Sequence, residues 1–123
     1  MKLTDHFQLS EFASKDGATT PLKVQHQLLE LARNLEIIRE AVNAPIHINS
    51  GYRSPAHNRA VGGASNSYHV RGMAADIVVR GKSPGQVFSV ILDLMDDHII
   101  TPGGLHQYPT FVHYDIRGWR VLF

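Results

Sequence analysis

The chain of 123 residues contains no cysteine, and this absence constrains its fold more than any other feature. No disulfide can staple the chain, so a hydrophobic core must hold it together alone. Hydrophobic residues make up 43% of the sequence, which is close to the globular average and sufficient for one core. The length suits one ordinary domain and is short for two, so we predict a single domain over residues 1–123.

Charge and hydropathy exclude several classes of partner. The formal net charge is +1, from twelve Lys and Arg against eleven Asp and Glu, and no basic run is present, which argues against nucleic acid. No segment approaches the ~18 apolar residues of a membrane span, and the first residues lack the apolar stretch of a signal peptide. We therefore expect a monomer without a membrane partner, made in the cytoplasm without a signal peptide.

Periodic patterns predict the elements of the fold. Apolar residues spaced three and four apart predict one long helix that ends near residues 43–45, with this stripe: Leu28, Leu31, Leu35, Ile38 and Val42. Alternating β-branched and polar residues predict strands at 46–49 and 74–79, separated by a long loop over 51–68. A capping-box sequence, Ser83-Pro84-Gly85-Gln86, predicts the start of a second helix.

Shorter elements are predicted at the two ends of the chain. Residues 3–12 predict a short helical turn, and three short strands are expected within 104–108, 111–116 and 119–123. This order of elements predicts an α+β fold. In it, helices pack on one face of a small, largely antiparallel sheet and leave the other face for a cleft.

Eight histidines are many for this length, and two of them lie where metal ligands can converge. His69 and Asp76 are seven residues apart, and Gly72 between them permits a turn that brings both side chains to one point. In the last part of the chain, strand parity places His113 and Asp115 on the same face. Two imidazoles and one carboxylate leave a fourth position open on tetrahedral zinc, as in catalytic sites. Spacing alone leaves other metals open.

Five motifs stand in a fixed order along the chain: Ser50-Gly51-Tyr52-Arg53-Ser54, Asn58, Gly62-Gly63-Ala64, Ser67-Tyr68-His69-Val70-Arg71-Gly72-Met73-Ala74-Ala75-Asp76 and Phe111-Val112-His113. From about Phe7 to the C-terminus, this pattern resembles the M15 family of zinc peptidases. That family is related in fold to the lysostaphin group and the hedgehog signalling domain. It includes D-alanyl-D-alanine carboxypeptidases and bacteriophage endolysins that cut peptidoglycan stem peptides, and the Ser-Glu-Phe opening is similar to the short phage-type members.

The resemblance implies a role for each matched residue. His69, Asp76 and His113 fall on the ligands of the catalytic Zn²⁺. Arg53 falls on the family's arginine and would bind the scissile carbonyl oxygen or a substrate carboxylate. Ser67 would orient the ligand that follows it.

One position departs from the family pattern. Many members carry Asp or Glu three residues before the last His ligand, as general base, and this chain has Thr110 there. Phe111 stands where other members have a histidine. The identity of the base therefore needs another candidate, and loss of activity is an alternative.

Two residues are candidates for the proton-shuttling base. Asp115 is the first, because strand parity points it into the same cleft as His113, and His106 on the neighbouring strand is the second. Asp115 is also a candidate metal ligand. Alternatively, it is a turn carboxylate that pairs with Arg117 or Arg120.

Together with these residues, the resemblance to the M15 family implies a zinc metallopeptidase that hydrolyses an amide bond in peptidoglycan stem or cross-link peptides. It would act at the bacterial cell wall, as a phage lysin or a virion component. The alternative is a catalytically impaired, zinc-containing module that binds peptidoglycan or builds a phage structure, which Thr110 favours. The sequence does not distinguish endopeptidase from carboxypeptidase action.

Overall fold

Three α-helices, seven strands and one 3₁₀ helix make up the fold, and the computed structural model describes all of residues 1–123. The 3₁₀ helix, Leu9–Phe12, follows the first two strands. In chain order the other elements are β1 (Lys2–Thr4), β2 (Phe7–Gln8), α1 (Leu22–Val42), β3 (Ile46–Ser50), α2 (Pro55–Ala60), β4 (Ala74–Val79), α3 (Pro84–Asp96), β5 (Gly104–Gln107), β6 (Val112–Asp115) and β7 (Val121–Leu122).

Five strands form the main sheet in the order β3-β4-β6-β5-β7. Neighbouring strands are antiparallel except for β7, which runs parallel to β5. Strands β1 and β2 form a separate antiparallel pair. The predicted α+β class with a small, largely antiparallel sheet is confirmed.

The two faces of the main sheet differ in chemistry because side chains alternate along each strand. On one face, Ile48, Ile77, Leu105 and Tyr114 join the apolar residues of α1 and α3 in one buried core. The opposite face carries polar residues of β4 and β6, including His113. Helices therefore cover one face, as predicted, and the polar face is left for a site.

Helix ends follow the predicted signals. At the start of α3, Ser83 Oγ accepts a hydrogen bond from the Gln86 backbone N–H at 3.2 Å, and Gln86 Oε1 accepts one from the Ser83 N–H at 2.8 Å. The stripe predicted for α1 is buried along its length. That helix ends at Asn43, whose left-handed conformation, with φ of 51°, terminates the hydrogen-bonded turns. None of the helices combines the length and the apolar character needed to cross a membrane.

Two segments differ from the prediction. Helix α2 lies inside the segment predicted as a loop over 51–68, where Ser54 Oγ accepts from the His57 backbone N–H at 3.1 Å and Pro55 occupies the first helical position. That Ser-Pro pair is a helix start, and the Gly- and Ser-rich surroundings obscured it. Within 3–12, a strand pair precedes the 3₁₀ helix, so only the end of this segment is helical.

Candidate metal centre

The three predicted ligands lie together on the polar face of the sheet. One ligand atom from each of His69, Asp76 and His113 lies within 4.8 Å of the others, and all three residues are buried. His69 Nε2 is 3.3 Å from Asp76 Oδ1, and His113 Nδ1 is 3.2 Å from the same oxygen. The fold therefore brings together the residues that the sequence grouped.

Backbone geometry positions this cluster. Asp76 on β4 and His113 on β6 are paired across the two strands. His69 lies in the turns that precede β4, and its carbonyl accepts a hydrogen bond from the Arg53 N–H at 3.1 Å. The chain then turns at Gly72, where φ is +72° and a Cβ would lie 2.6 Å from the side chain of Val24. Only glycine suits this turn, which is the one that the spacing of His69 and Asp76 required.

Each imidazole is held on the side away from Asp76 by an acceptor. His69 Nδ1 lies 2.8 Å from the Gly51 carbonyl oxygen, and His113 Nε2 lies 2.8 Å from Asp115 Oδ2. Because both partners are acceptors, each outer nitrogen carries a proton, and in the neutral ring the inner nitrogen offers a lone pair. Two such lone pairs beside a carboxylate fit a divalent metal that takes nitrogen and oxygen ligands, such as zinc.

Hydrogen bonding reverses the usual effect of burial on two of these groups. Burial opposes the charged form of Asp76, but hydrogen bonds from His113 and His69 hold the pKa of its carboxyl well below the ordinary value. Burial likewise opposes protonation of His113, yet Asp115 and Asp76 together raise the pKa of its imidazole. Protons would therefore compete with any metal ion that binds through His113.

Asp115 lies behind His113 rather than beside Asp76. Its carboxylate is fully buried, and Oδ1 accepts hydrogen bonds from the Gly104 N–H at 2.8 Å and from Arg117 Nε at 2.8 Å. Burial alone would raise the pKa of this carboxyl, but the bonds from Arg117 and His113 outweigh it and lower the pKa. These surroundings favour orientation of His113 over metal contact or proton transfer. The role of Asp115 as the base stays a prediction.

His106 lies beside His113 but makes no hydrogen bond to it. The two residues are paired across β5 and β6, so both side chains occupy the polar face. His106 Nδ1 contacts the Phe123 carbonyl oxygen, and the two rings stack with centroids 5.0 Å apart. The Phe123 ring also packs against His113, at 5.3 Å. The catalytic role of His106 also stays a prediction.

A cavity of about 430 Å³ opens beside the cluster, and Arg53 forms part of its wall. One Arg53 nitrogen lies 3.6 Å from Asp76 Oδ2, and another lies 3.4 Å from Asn58 Oδ1. Aromatic side chains form another part of the wall, where the stacked rings of Tyr108 and Phe111 lie 4.5 Å apart. The Arg53 guanidinium and the buried cluster of His69, Asp76 and His113 thus line one open cleft.

The family model described as Peptidase M15 matches residues 5–115, a range that contains the whole cluster and Arg53. The chain belongs to the M15 peptidase family. The resemblance drawn from the motifs is confirmed. A curated relative from Haemophilus influenzae, described as a probable peptidoglycan L,D-endopeptidase MepK, is 30% identical over 121 residues. That match covers 89% of this chain and 62% of the relative, so the chain spans less than two thirds of the relative's length.

Three residues around the cluster make contacts that the sequence alone does not indicate. The sequence indicates Arg117 only as an alternative partner, with Arg120, for a turn carboxylate at Asp115, and it indicates no separate role for Tyr68 or Asn58. Asn58 is buried and donates to the Ala64 carbonyl at 2.9 Å, so it ties the cavity loop to the side that holds Arg53. Its position in the family motifs was the available signal. Ser67, the predicted orienting group, accepts a hydrogen bond from the His69 backbone N–H at 3.2 Å.

Proposed function

We propose that this M15 peptidase is a zinc enzyme that hydrolyses an amide bond in peptidoglycan stem or cross-link peptides. The observation that carries the proposal is the buried cluster of His69, Asp76 and His113, in which both outer imidazole nitrogens are already hydrogen-bonded. The description of the relative as a probable peptidoglycan endopeptidase supports the substrate class. We also propose that residues 1–123 form one domain and that the protein acts as a monomer.

The ligand atoms in this proposal are His69 Nε2, an Asp76 carboxylate oxygen and His113 Nδ1. Zinc bound there supplies Lewis acidity toward water and toward the scissile carbonyl. The Gly51 carbonyl and the Asp115 carboxylate keep the two imidazoles in the tautomer that binds metal.

Arg53 is the residue placed to bind substrate charge. Its guanidinium reaches the cavity wall between Asn58 and Asp76, so its direction is set before substrate arrives. It would donate to the scissile carbonyl oxygen, or to a substrate carboxylate, and stabilise negative charge that develops there.

Proton transfer needs a further group, and we propose His106. Asp115 faces the outer nitrogen of His113 and already accepts hydrogen bonds from several donors. His106 occupies the same sheet face as His113, beside the cluster. Its use requires the Phe123 ring, which packs against both imidazoles, to make room for substrate.

The proposed function is tested by digestion of purified peptidoglycan with the zinc-loaded protein and identification of the products by mass spectrometry. We expect new stem-peptide fragments that disappear in His113→Ala and after chelation of zinc, and that return when zinc is restored. His26→Ala, at an exposed histidine of α1, is the matched control and should digest like the wild type. Fragment masses identify the bond and separate endopeptidase from carboxypeptidase action.

The opposite outcome has a defined meaning. A folded protein that holds zinc but leaves peptidoglycan intact would overturn the enzymatic proposal. Retention of that protein on insoluble peptidoglycan in a pull-down would then favour the binding module.

A further inference from the structure

Arg117 forms a two-bond ion pair with the buried carboxylate of Asp115. Its Nε donates to Asp115 Oδ1 at 2.8 Å, and its Nη2 donates to Asp115 Oδ2 at 2.6 Å. The Asp115 side chain is fully buried, and only 16% of the Arg117 side chain is exposed. This two-pronged geometry fixes both the position and the rotation of the carboxylate, which a lysine could not do.

The Asp115 carboxylate also accepts a hydrogen bond from His113, a proposed metal ligand. Asp115 Oδ2 accepts from both Arg117 Nη2 and His113 Nε2, the latter at 2.8 Å. A continuous chain therefore runs from the guanidinium through the carboxylate to the imidazole, whose other nitrogen faces Asp76. Rotation of Asp115 would change the direction in which His113 points.

The Arg117 guanidinium also contacts the segment that carries His69, the other histidine of the cluster. The Arg117 charge lies 4.4 Å from the centre of the Tyr68 ring, within range of a favourable cation–π contact. Tyr68 directly precedes His69, and its carbonyl accepts from the Met73 N–H at 3.1 Å. Arg117 therefore touches groups that belong to both histidine segments.

Two glycines leave the space that this arrangement needs. A Cβ at Gly104 would lie 2.4 Å from Arg117 Nη2 and 2.4 Å from Asp115 Oδ2. A Cβ at Gly103 would lie 1.6 Å from the Asp115 carbonyl oxygen. A side chain at either position would displace Asp115 or Arg117. Glycine at the start of β5 therefore leaves room for the ion pair behind His113.

We propose that Arg117 is a positioning residue for the metal centre. Through Asp115 it sets the orientation of His113, and through Tyr68 it holds the segment that carries His69. One guanidinium thereby aligns ligands from two separate parts of the chain. This inference rests on the proposed zinc site and adds the residue that adjusts it.

The test is zinc affinity, measured by competition with a chromophoric chelator, with thermal unfolding recorded for every variant. Arg117→Lys keeps the charge but loses the two-pronged contact, and we expect its zinc affinity to fall about 10- to 100-fold. Arg120→Lys is the matched control, because Arg120 pairs with Asp96 at 3.1 Å, away from the cluster, and should bind zinc like the wild type. Saturating zinc should restore most of the peptidase activity of Arg117→Lys.

A second pair of variants tests the contact with Tyr68. Tyr68→Phe keeps the ring and should bind zinc like the wild type, whereas Tyr68→Leu should bind it less tightly. The two Tyr68 variants also test the proposal if Arg117→Lys does not fold. Unchanged zinc affinity in Tyr68→Leu would overturn the claim that Arg117 holds the His69 segment through Tyr68. A folded Arg117→Lys protein with wild-type zinc affinity would overturn the proposal as a whole. Absence of zinc binding by the wild type would instead contradict the proposed function.

Discussion

Asp76 and His113 face each other directly across the β4–β6 pair. Strand register therefore brings two of the proposed ligands together, and a slip of one residue would turn one of them toward the core. His106 is the next residue across from His113, on β5. Asp76, His113 and His106 thus form a cross-strand row at the floor of the site.

Arg53 should matter for catalysis and not for metal binding. We expect Arg53→Ala to lower kcat/KM by about 100- to 1,000-fold, because a preset donor to developing negative charge is lost. Zinc affinity should be nearly unchanged, since both imidazoles keep their partners and only the 3.6 Å contact from Arg53 to Asp76 Oδ2 is lost. Arg59→Ala, at an exposed arginine of α2, should retain full activity. A loss of zinc in Arg53→Ala that accounts for the lost activity would contradict the assigned role.

Substitution of His106 should lower the catalytic rate, whereas substitution of Asp115 should lower zinc affinity. His106→Ala should lower kcat by about 100-fold or more while zinc affinity is retained, as expected for loss of a general acid–base group. Asp115→Asn should weaken zinc binding, because His113 loses its charged partner. His47→Ala, at an exposed position of β3, is the control for histidine removal. Full activity in zinc-loaded His106→Ala would rule out His106 as the proton carrier.

Two glycine substitutions should have opposite effects on the free energy of unfolding. Gly104→Ala should destabilise the protein by about 1–3 kcal/mol, because the added methyl group overlaps Arg117 and Asp115. Gly85→Ala, in the first turn of α3, meets no atom closer than 3.6 Å and should be neutral or stabilising by up to about 1 kcal/mol. Urea unfolding of both variants measures the difference, and equal destabilisation would mean that the Asp115 pair is not tightly packed.

Asp16 should stabilise the fold in a pH-dependent way. Its carboxylate accepts from Ser54 Oγ at 2.6 Å and from Ser14 Oγ at 2.7 Å, and these bonds lower its pKa from the ordinary 3.8 to about 2. A pKa that is lower in the folded state means that the charged form stabilises the fold. This contribution is present above the ordinary pKa and is lost as the pH falls through the folded value.

The measurement compares Asp16→Asn with the wild type by urea unfolding at several pH values. The difference in the free energy of unfolding should be full at about pH 5 and should shrink toward about pH 2. Asp93→Asn, at an exposed carboxylate of α3, is the control for removal of a surface charge. A difference that stays constant with pH would mean that these hydrogen bonds do not depend on the charge.

Regular periodicity explains what the sequence predicted well. The side-chain period of a strand is two, so the placement of His113 and Asp115 on one face, opposite Tyr114, followed from their spacing alone. The capping box at Ser83 and the stripe of α1 depend on contacts within three or four residues. Local patterns of this kind are visible in a single sequence because both partners lie in the same short window.

Contacts between distant segments explain what the sequence could not predict. The surroundings of Asp115 are set by Gly104 and Arg117, which reach it from β5 and from the turn after β6, and its strand face alone indicated neither contact. Helix α2 was missed because six residues in a polar segment carry no amphipathic period. The Phe123 ring reaches His113 only because β7 pairs in parallel with β5, a pairing that strand patterns do not specify.

The sequence separation of the residues in the cluster indicates when the site forms during folding. Asp115 is a sequence neighbour of His113, but Asp76 lies 37 residues from His113 and Gly51 lies 18 residues from His69. The groups of the cluster are therefore far apart in an unfolded polypeptide. Closure of such long loops carries an entropic cost, which is offset only by the contacts made when the sheet assembles. In the proposed zinc enzyme, metal binding would therefore come at the end of folding, and the ion would stabilise a sheet that has already formed.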